Sequence, residues 1–129
     1  MPTIPDMLFD PTMQGLSQAL TLRQKRHEVI ASNLANVETP GYRAKELDFG
    51  AALQQAFEIH RAPEVPESEP PLPAERVVED LDAPARADGN TVDVDMQMAK
   101  LSANGEDYVA LSRLLGHRLA LLRQAITGV

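Results

Sequence analysis

The residues that could support catalysis or metal binding are few and poorly spaced for either. The three histidines, His27, His60 and His117, lie far apart and form no HExxH motif or other close pair of ligands. The sequence contains no glycine-rich phosphate loop, and no Ser/His/Asp arrangement stands in a motif that supports nucleophilic catalysis. We therefore predict no catalytic residue, no cofactor, no metal ligand and no enzyme.

The stretch DGNTVDVD (88–95) has some of the character of a calcium loop. If Asp88 were the first loop position, the sixth position would need glycine and the twelfth glutamate. Those positions hold Asp93 and Ala99, so the sequence excludes an EF-hand loop. Helix capping accounts for the same residues, because Asn90 or Thr91 suits an N-cap and the aspartates suit the positive end of a helix dipole.

The composition limits the class of protein further. The chain has 129 residues, enough for a single domain (1–129), with 4% aromatic residues and no cysteine. Its formal net charge of -7 argues against nucleic acid as a partner. The N-terminus lacks the basic start and apolar run of a secretory signal, and no stretch approaches the ~20 apolar residues of a membrane span. We expect no direct membrane insertion, synthesis in the cytoplasm, and any export to proceed without a cleavable signal.

Two long helices must position whatever site the chain carries. The first is predicted over 11–36 and opens at Pro11, whose missing N–H is harmless at the first helical position. The second is predicted over 90–127 and stops before Gly128. In both, apolar residues recur at alternating steps of four and three, which is a heptad seam for pairing with another helix. The predicted seam consists of Leu16, Leu20, Ile30, Leu34, Leu101, Tyr108, Leu115, Leu119 and Leu122.

The chain between the helices has a different composition. Residues 37–60 are predicted to form a turn, an extended stretch and a short helix in FGAALQQAFEIH (49–60). Residues 61–89 are rich in proline and acidic residues and predict a variable segment, in which AERVVEDL (74–81) is a candidate for a short strand or a turn. The predicted fold is mainly α. Because two helices make a poor core, we expect self-assembly or docking into a larger helical structure.

The stretch SNLANVETPGYRAKELDF (32–49) is the most distinctive of the chain. Asn33 and Asn36 share one face of the helix end, where their amides can bind a neighbouring helix or the freed carbonyls. Thr39 precedes proline and is pushed out of helical space, and Pro40-Gly41 fits the middle of a type II turn. An ordinary helix stop is the alternative interpretation. The candidate assembly motif consists of Asn33, Asn36, Thr39, Pro40, Gly41, Tyr42 and Phe49.

This stretch resembles the N-terminal signature of the bacterial flagellar rod and hook family, in which a long helix ends in an asparagine pair and a Thr-x-Gly-aromatic turn. Residues 88–126, DGNTVDVDMQMAKLSANGEDYVALSRLLGHRLALLRQAI, resemble the C-terminal helix of a rod protein. The resemblance covers roughly residues 16–49 and 88–127, and the middle is expected to vary. Gln97 departs from it, because the family usually carries glutamate there.

The resemblance implies a structural subunit of the flagellar basal body, in which the two long helices pair as a coiled coil within an assembled tube. The subunit would lie at the cell-proximal end of the rod, on the periplasmic side of the inner membrane, and would transmit torque. Its expected partners are copies of itself, the hook–basal-body adaptor protein, the membrane-ring protein, the next rod proteins and the flagellar export apparatus. A soluble helical adaptor or secretion chaperone remains the alternative, because such a protein would also be acidic, helical and free of cysteine.

Overall fold

The computed structural model describes residues 10–59 and 76–128, which form three helices and two short strands. In chain order these are α1 (Pro11–Ala35), β1 (Lys45–Leu47), α2 (Phe49–Ile59), β2 (Val77–Glu79) and α3 (Val94–Thr127). The mainly α fold, the short helix after residue 49 and the strand within 74–81 are confirmed. His60 and the proline-rich stretch through residue 75 lie outside the described residues.

α1 begins and ends with local signals that the sequence carries. The side chain of Asp10 accepts a hydrogen bond from the N–H of Met13 at 2.8 Å, and Pro11 occupies the first helical position. The helix ends at Ala35, where the N–H of Asn36 donates to carbonyls of the last turn. Its buried face consists of Met13, Gly15, Leu16, Ala19, Leu22, Val29, Ile30 and Asn33.

α3 begins four residues later than the predicted boundary at residue 90. Asp93 is the N-cap, because its carboxylate accepts from the N–H of Met96 at 3.1 Å, so the expectation of Asn90 or Thr91 as the cap is wrong. The helix then runs unbroken for 34 residues, which is about 50 Å at ~1.5 Å per residue. Gly128, with φ 72°, ends it in the left-handed conformation.

The apolar core lies between α1, β1 and α2. Leu22, Leu47, Ala52 and Ala56 are buried together, and Phe49 packs against them. α2 therefore supplies a third apolar element, which adds to the poor core expected of two helices and covers the first half and middle of α1. Phe49 opens α2 with its ring in the core.

The two terminal helices run antiparallel, with successive cross-contacts along their length. Arg118 of α3 binds Asp10 just before α1, at 2.7 Å, and Asn104 contacts Arg23 in the middle of α1. The strands form a two-stranded antiparallel sheet in which Lys45 lies opposite Glu79. Because Asp10 already meets Arg118, the last turns of α3 extend past the start of α1.

Candidate functional site

The predicted assembly motif lies where the end of α1, the turn at 39–42, the loop at 86–92 and the start of α3 meet; we call this region the junction. The predicted type II turn is confirmed. The N–H of Tyr42 donates to the carbonyl of Thr39 at 3.2 Å, and Gly41 has φ +71° in the third turn position. The N–H of Gly41 donates to the carbonyl of Asp88 at 2.9 Å, which ties the turn to the loop that precedes α3.

Asn33 is fully buried and joins the end of α1 to the turn, to β1 and to the start of α3. Its amide nitrogen donates to the carbonyl of Lys45 at 2.7 Å and to the side-chain oxygen of Gln97, on α3, at 3.0 Å. Its amide oxygen accepts from the N–H of Lys45 at 2.9 Å and from the Tyr42 hydroxyl at 3.2 Å. Both donors and the acceptor of the amide are thus satisfied within the chain, and Asn33 fixes how the extended segment leaves α1.

Asn36 has a different and more local role. Its amide nitrogen donates to the carbonyl of Ser32 at 2.8 Å, and its amide oxygen accepts from the Thr39 hydroxyl at 3.2 Å. The Ser32 carbonyl belongs to the last turn of α1 and also accepts from the N–H of Asn36, so the side chain of Asn36 reinforces the end of its own helix. Of the two roles expected for the asparagine pair, Asn33 therefore binds the neighbouring helix, through Gln97, and Asn36 caps its own helix.

Asn90 is the central residue of the junction that sequence reasoning missed. Its side chain is fully buried, and its amide nitrogen lies within 2.8–3.1 Å of the carbonyls of Asn36, Val37 and Thr39. Its amide oxygen accepts from the N–H of Val92 at 2.7 Å. The cap that satisfies the carbonyls after α1 thus comes from a residue just before α3, which holds the two helix ends together.

The residues on either side of Asn90 complete the contact. The N–H of Thr91 donates to the carbonyl of Tyr42 at 3.0 Å, and the Thr91 hydroxyl accepts from the N–H of Ala44 at 2.7 Å. Gly89 has φ +82°, and a β-carbon there would lie 3.5 Å from the α-carbon of Gly41. That distance is an ordinary van der Waals contact, so Gly89 is favoured by its left-handed φ and not by a lack of space between the two loops.

A charge network lies beside the junction and links α1, β1 and α3. Glu46 binds Arg26 at 3.1 Å and Lys100 at 2.8 Å through its two carboxylate oxygens, and Lys100 also reaches Asp80 at 3.3 Å. Burial by itself would lower the pKa of Lys100, but the hydrogen bonds and negative charges of Glu46 and Asp80 outweigh it and raise the pKa. The network therefore favours the charged lysine.

A second polar contact joins the middles of the terminal helices. The buried amide of Asn104 donates to the backbone carbonyl of Arg23 at 2.8 Å and accepts from the Arg23 guanidinium at 3.4 Å. That guanidinium also binds Asp107 at 3.1 Å and stacks 4.0 Å above the Phe49 ring. Burial lowers the pKa of Arg23, although Asp107 opposes the shift. Asn104 therefore positions α3 against α1, and the helix continues through this position without a break.

The predicted seam residues divide into two groups. On α1, Leu16 and Ile30 are buried and Leu20 and Leu34 are half-buried. On α3, Leu101, Leu115 and Leu122 are half-buried, whereas Tyr108 and Leu119 are 41% and 48% exposed. The most buried positions of α3 are the polar residues Gln97 and Asn104, which the apolar seam left out. That these helices pair with other subunits along the seam stays a prediction.

The remaining chemistry-bearing residues do not gather into a site. His27 lies exposed on α1 and His117 exposed on α3. Across residues 10–59 and 76–128, no three histidine, cysteine or acidic side chains are grouped so that they could hold a metal ion. None of the helices described is both long enough and apolar enough to cross a membrane.

Comparison with known proteins identifies the family. A family described as "Flagella basal body rod protein" matches residues 13–43. The chain is 36% identical to the flagellar basal body rod protein FlgB of Proteus mirabilis, over 79% of this chain and 83% of that protein. The chain belongs to the FlgB family of flagellar basal body rod proteins. It is also 33% identical to FlgB of Escherichia coli, over 93% of this chain and 96% of that protein. The chain is 30% identical to FlgB of Bacillus subtilis, over 94% of this chain and 97% of that protein.

Membership of the FlgB family makes the chain a structural subunit of the flagellar basal body rod. The segment that the family description matches contains most of α1 and the turn, including Asn33, Asn36 and Gly41. The other half of the junction, with Asn90 and Gln97, lies outside that segment. The predicted family and the predicted structural role are confirmed, and the names of these relatives describe rod proteins rather than enzymes.

Proposed function

We propose that this rod protein assembles through the second half of α3 and lies at the cell-proximal end of the rod. The observation that carries the proposal is the exposure of large apolar side chains there. Leu114, Leu119, Leu121 and Ile126 are between 48% and 67% exposed within thirteen residues of one helix. Since α3 extends past α1 at this end, the described part of the chain covers only one side of it, and soluble monomers rarely leave clustered apolar residues uncovered.

The contacts of the junction are consistent with a mechanical role for the subunit. They couple the end of α1 to the start of α3 through buried amides, so a displacement of one helix is resisted by the other. On this proposal the motif from Asn33 to Tyr42, with Phe49, sets the path of the chain between the helices and does not itself form the outer contact. Torque would pass along the two helices, and the whole chain, 1–129, would act as one domain.

The finer role rests on the family resemblance. The partners we propose are copies of this chain, the hook–basal-body adaptor protein, the membrane-ring protein and the next rod proteins. The subunit would reach the periplasmic side of the inner membrane through the flagellar export apparatus, without a cleavable signal. The comparisons give no support to the alternative of a soluble adaptor or secretion chaperone, since the relatives reported above are rod proteins.

The test is complementation of a strain that lacks the gene, with basal-body counts and secretion of the subunit measured together. We expect the wild-type gene to restore rods and the double variant Leu119→Glu with Ile126→Glu to be exported but not incorporated. Leu119→Met with Ile126→Met is the matched control, because it keeps both positions apolar and helix-forming. Normal rods in the glutamate variant would show that this surface is not the assembly contact.

A further inference from the structure

The face of α3 that points away from α1 carries opposite charges in its two halves. In the first half its exposed residues are Asp95, Met98, Ser102 and Glu106; in the second half they are Arg113, Gly116, Ala120 and Arg123. These positions follow one another at steps of three and four, apart from the step of seven between Glu106 and Arg113, which exposed Val109 divides, so they form a single stripe, which we call the outer face. Residues 108–127 contain three arginines and no acidic residue, in a chain whose net charge is -7.

The ion pairs of the described residues leave this charge pattern unmatched. Arg118 shows what an arginine of this half does when a carboxylate is near, since it binds Asp10 at 2.7 Å. Arg113 and Arg123 form no ion pair with any residue of 10–59 or 76–128, and neither do Asp95 and Glu106. The outer face therefore presents two cations and two anions to whatever lies against it.

Small residues make the outer face accessible to a second helix. A β-carbon at Gly105 or at Gly116 would meet nothing within 4 Å, so packing within the described chain does not account for either glycine. Glycine in the interior of a helix is destabilising relative to alanine. A shallow groove centred on Val109 and Gly105 lies on the same face, between Ser102 and Arg113. These features suit the close approach of another helix.

We infer that the outer face binds the outer face of α3 in a second copy of this chain, parallel and staggered by about five turns. A shift of 18 residues is five full turns of ~3.6 residues, so it keeps the two faces in phase and moves the helices by about 27 Å. Asp95 of one copy then lies beside Arg113 of the next, and Glu106 lies level with Gln124, one residue from Arg123. The same shift sets exposed Met98 against Gly116, a long side chain against open space.

The polarity of the pairing follows from the proposed function, on which this inference rests. An antiparallel pair centred near Val109 would match the same charges, because Asp95 would meet Arg123 and Glu106 would meet Arg113. Such a pair is closed by its twofold symmetry and cannot add a third copy, whereas a parallel staggered contact repeats without limit. A rod needs the contact that repeats, so we choose the parallel arrangement.

The first test uses disulfide cross-linking, which is clean because the chain has no cysteine. In the parallel pairing, residue 102 of one copy lies opposite residue 120 of the next. Isolated basal bodies that contain Ser102→Cys with Ala120→Cys should give dimers and larger cross-linked species on oxidation, and each single variant should give none. A dimer from Val109→Cys alone would establish the antiparallel arrangement and overturn the parallel one.

The second test exchanges the charges. Asp95→Lys with Glu106→Lys should reduce the number of basal bodies at least ten-fold, and adding Arg113→Glu with Arg123→Glu should restore it, because opposite charges face each other again. Circular dichroism of the purified variants shows whether each remains helical. Failure of the reversed pair to rescue a folded, exported subunit would overturn the inference.

These results separate the inference from the proposed function. If the wild-type subunit is absent from isolated basal bodies, the proposed function itself fails. If the subunit is present but the residue 102 and 120 pair does not cross-link, only the staggered contact between copies fails.

Discussion

Three buried asparagines hold the two terminal helices of this rod subunit in place. Asn33, Asn90 and Asn104 each bind backbone or side-chain groups on the opposite helix or on the loop next to it. An amide offers two donors and one acceptor oxygen in a fixed plane, so it can satisfy carbonyls and N–H groups on both sides at once. Removal of such a side chain leaves several buried polar groups without partners, which costs more than the loss of one hydrogen bond.

We expect Asn33→Ala to destabilise the protein far more than Asn36→Ala. Asn33→Ala leaves the carbonyl and N–H of Lys45 and the amide of Gln97 unpaired next to a buried position, at about 1–3 kcal/mol for a buried group without its partner. Asn36→Ala removes two contacts near solvent, where water can replace them, and should cost about 1 kcal/mol or less. Urea unfolding of the purified variants measures the difference, and equal losses would contradict the assignment of distinct roles.

Gly41→Val should block rod assembly while leaving export of the subunit intact. A β-carbon at Gly41 would meet nothing within 4 Å, so the cost comes from the backbone conformation at φ +71° and is about 1–2 kcal/mol. Gly41→Asn should be milder, because asparagine tolerates the left-handed region better. Glu38→Gln, exposed in the same loop, is the control and should be near neutral. Normal swimming of Gly41→Val cells would reduce the turn to an ordinary helix stop.

At the scale of the elements, the position of each helix depends on how closely its neighbours approach. α2 packs onto the first turns of α1 because Gly15 leaves room for the Phe57 ring. β1 and α3 are joined through the charge network around Glu46 rather than through apolar contact. The contribution of each contact to stability can be measured with a pair of variants, one that removes the contact and one that serves as a control.

The effect of Gly15→Ala on the free energy of unfolding should depend on the residue at position 57: the substitution should destabilise the protein when Phe57 is present and stabilise it when Phe57 is replaced by alanine. In the wild-type background the new β-carbon would lie 2.5 Å from a Phe57 ring atom, and overpacking of this kind costs roughly 1–3 kcal/mol. In the Phe57→Ala background the clash is gone, and the better helix propensity of alanine should stabilise by about 1 kcal/mol. Chemical unfolding of the four proteins in this cycle gives the coupling. The same effect in both backgrounds would mean that α2 does not pack where the structure places it.

Stability should fall in alkaline solution through Lys100. Because the network raises the pKa of Lys100, its contribution to stability is complete below the ordinary lysine value of 10.5 and is lost as the pH rises through the higher folded value. Lys100→Met should therefore be less stable at neutral pH and should lose less stability above pH 10.5. Thermal unfolding between neutral and alkaline pH measures both effects, with Lys25→Met, at a half-exposed pair with Glu28, as the control. Parallel curves for wild type and Lys100→Met would contradict the role of the network.

As a whole molecule, the subunit is an antiparallel helical hairpin. One end, which we call the closed end, is held by the polar contacts of the junction; at the other, the open end, α3 extends past the start of α1. The junction and the charge network lie toward the end of α1 and the start of α3, whereas the small apolar core lies along the first half and middle of α1, where α2 packs. Toward the other end, α3 keeps a single flank against α1, and Leu119, Leu121 and Ile126 are exposed there. Val94, Met96 and Met98 are also exposed at the start of α3, but there the polar contacts of the junction hold the helix. The closed end positions the chain, and the open end offers the surface for neighbours.

Hydrogen exchange of the isolated protein should report this division. Amides of residues 94–104 and of the second half of α1 should exchange more slowly than those of residues 119–127, because local opening needs less free energy where few buried contacts hold the helix. On incorporation into rods, residues 119–127 should become protected. Equal protection along the whole of α3 in the monomer would show that the last turns are held by contacts within the chain.

Several features of this protein were determined by the sequence itself, because they depend on groups only a few residues apart. Pro11 opens a helix, Gly128 ends one, and Pro40-Gly41 requires a particular turn, whatever surrounds them. The heptad steps of apolar residues predict two long helices, and the motif from Asn33 to Tyr42 is distinctive enough to indicate the family. These parts of the interpretation are confirmed.

Only the tertiary structure decided the roles that depend on distant partners. Asn90 is a residue type that commonly caps helices. Its side chain instead binds the backbone carbonyl of Asn36, 54 residues away, and Asp93 caps α3. Asn104 and Gly105 are both poor helix formers in the interior of a helix. α3 nevertheless continues through them, and the side chain of Asn104 is buried against Arg23, 81 residues away. Predictions from the sequence consider only the hydrogen bonds that a side chain can form with backbone groups a few residues away. A buried amide binds whichever unpaired carbonyl the tertiary structure brings next to it.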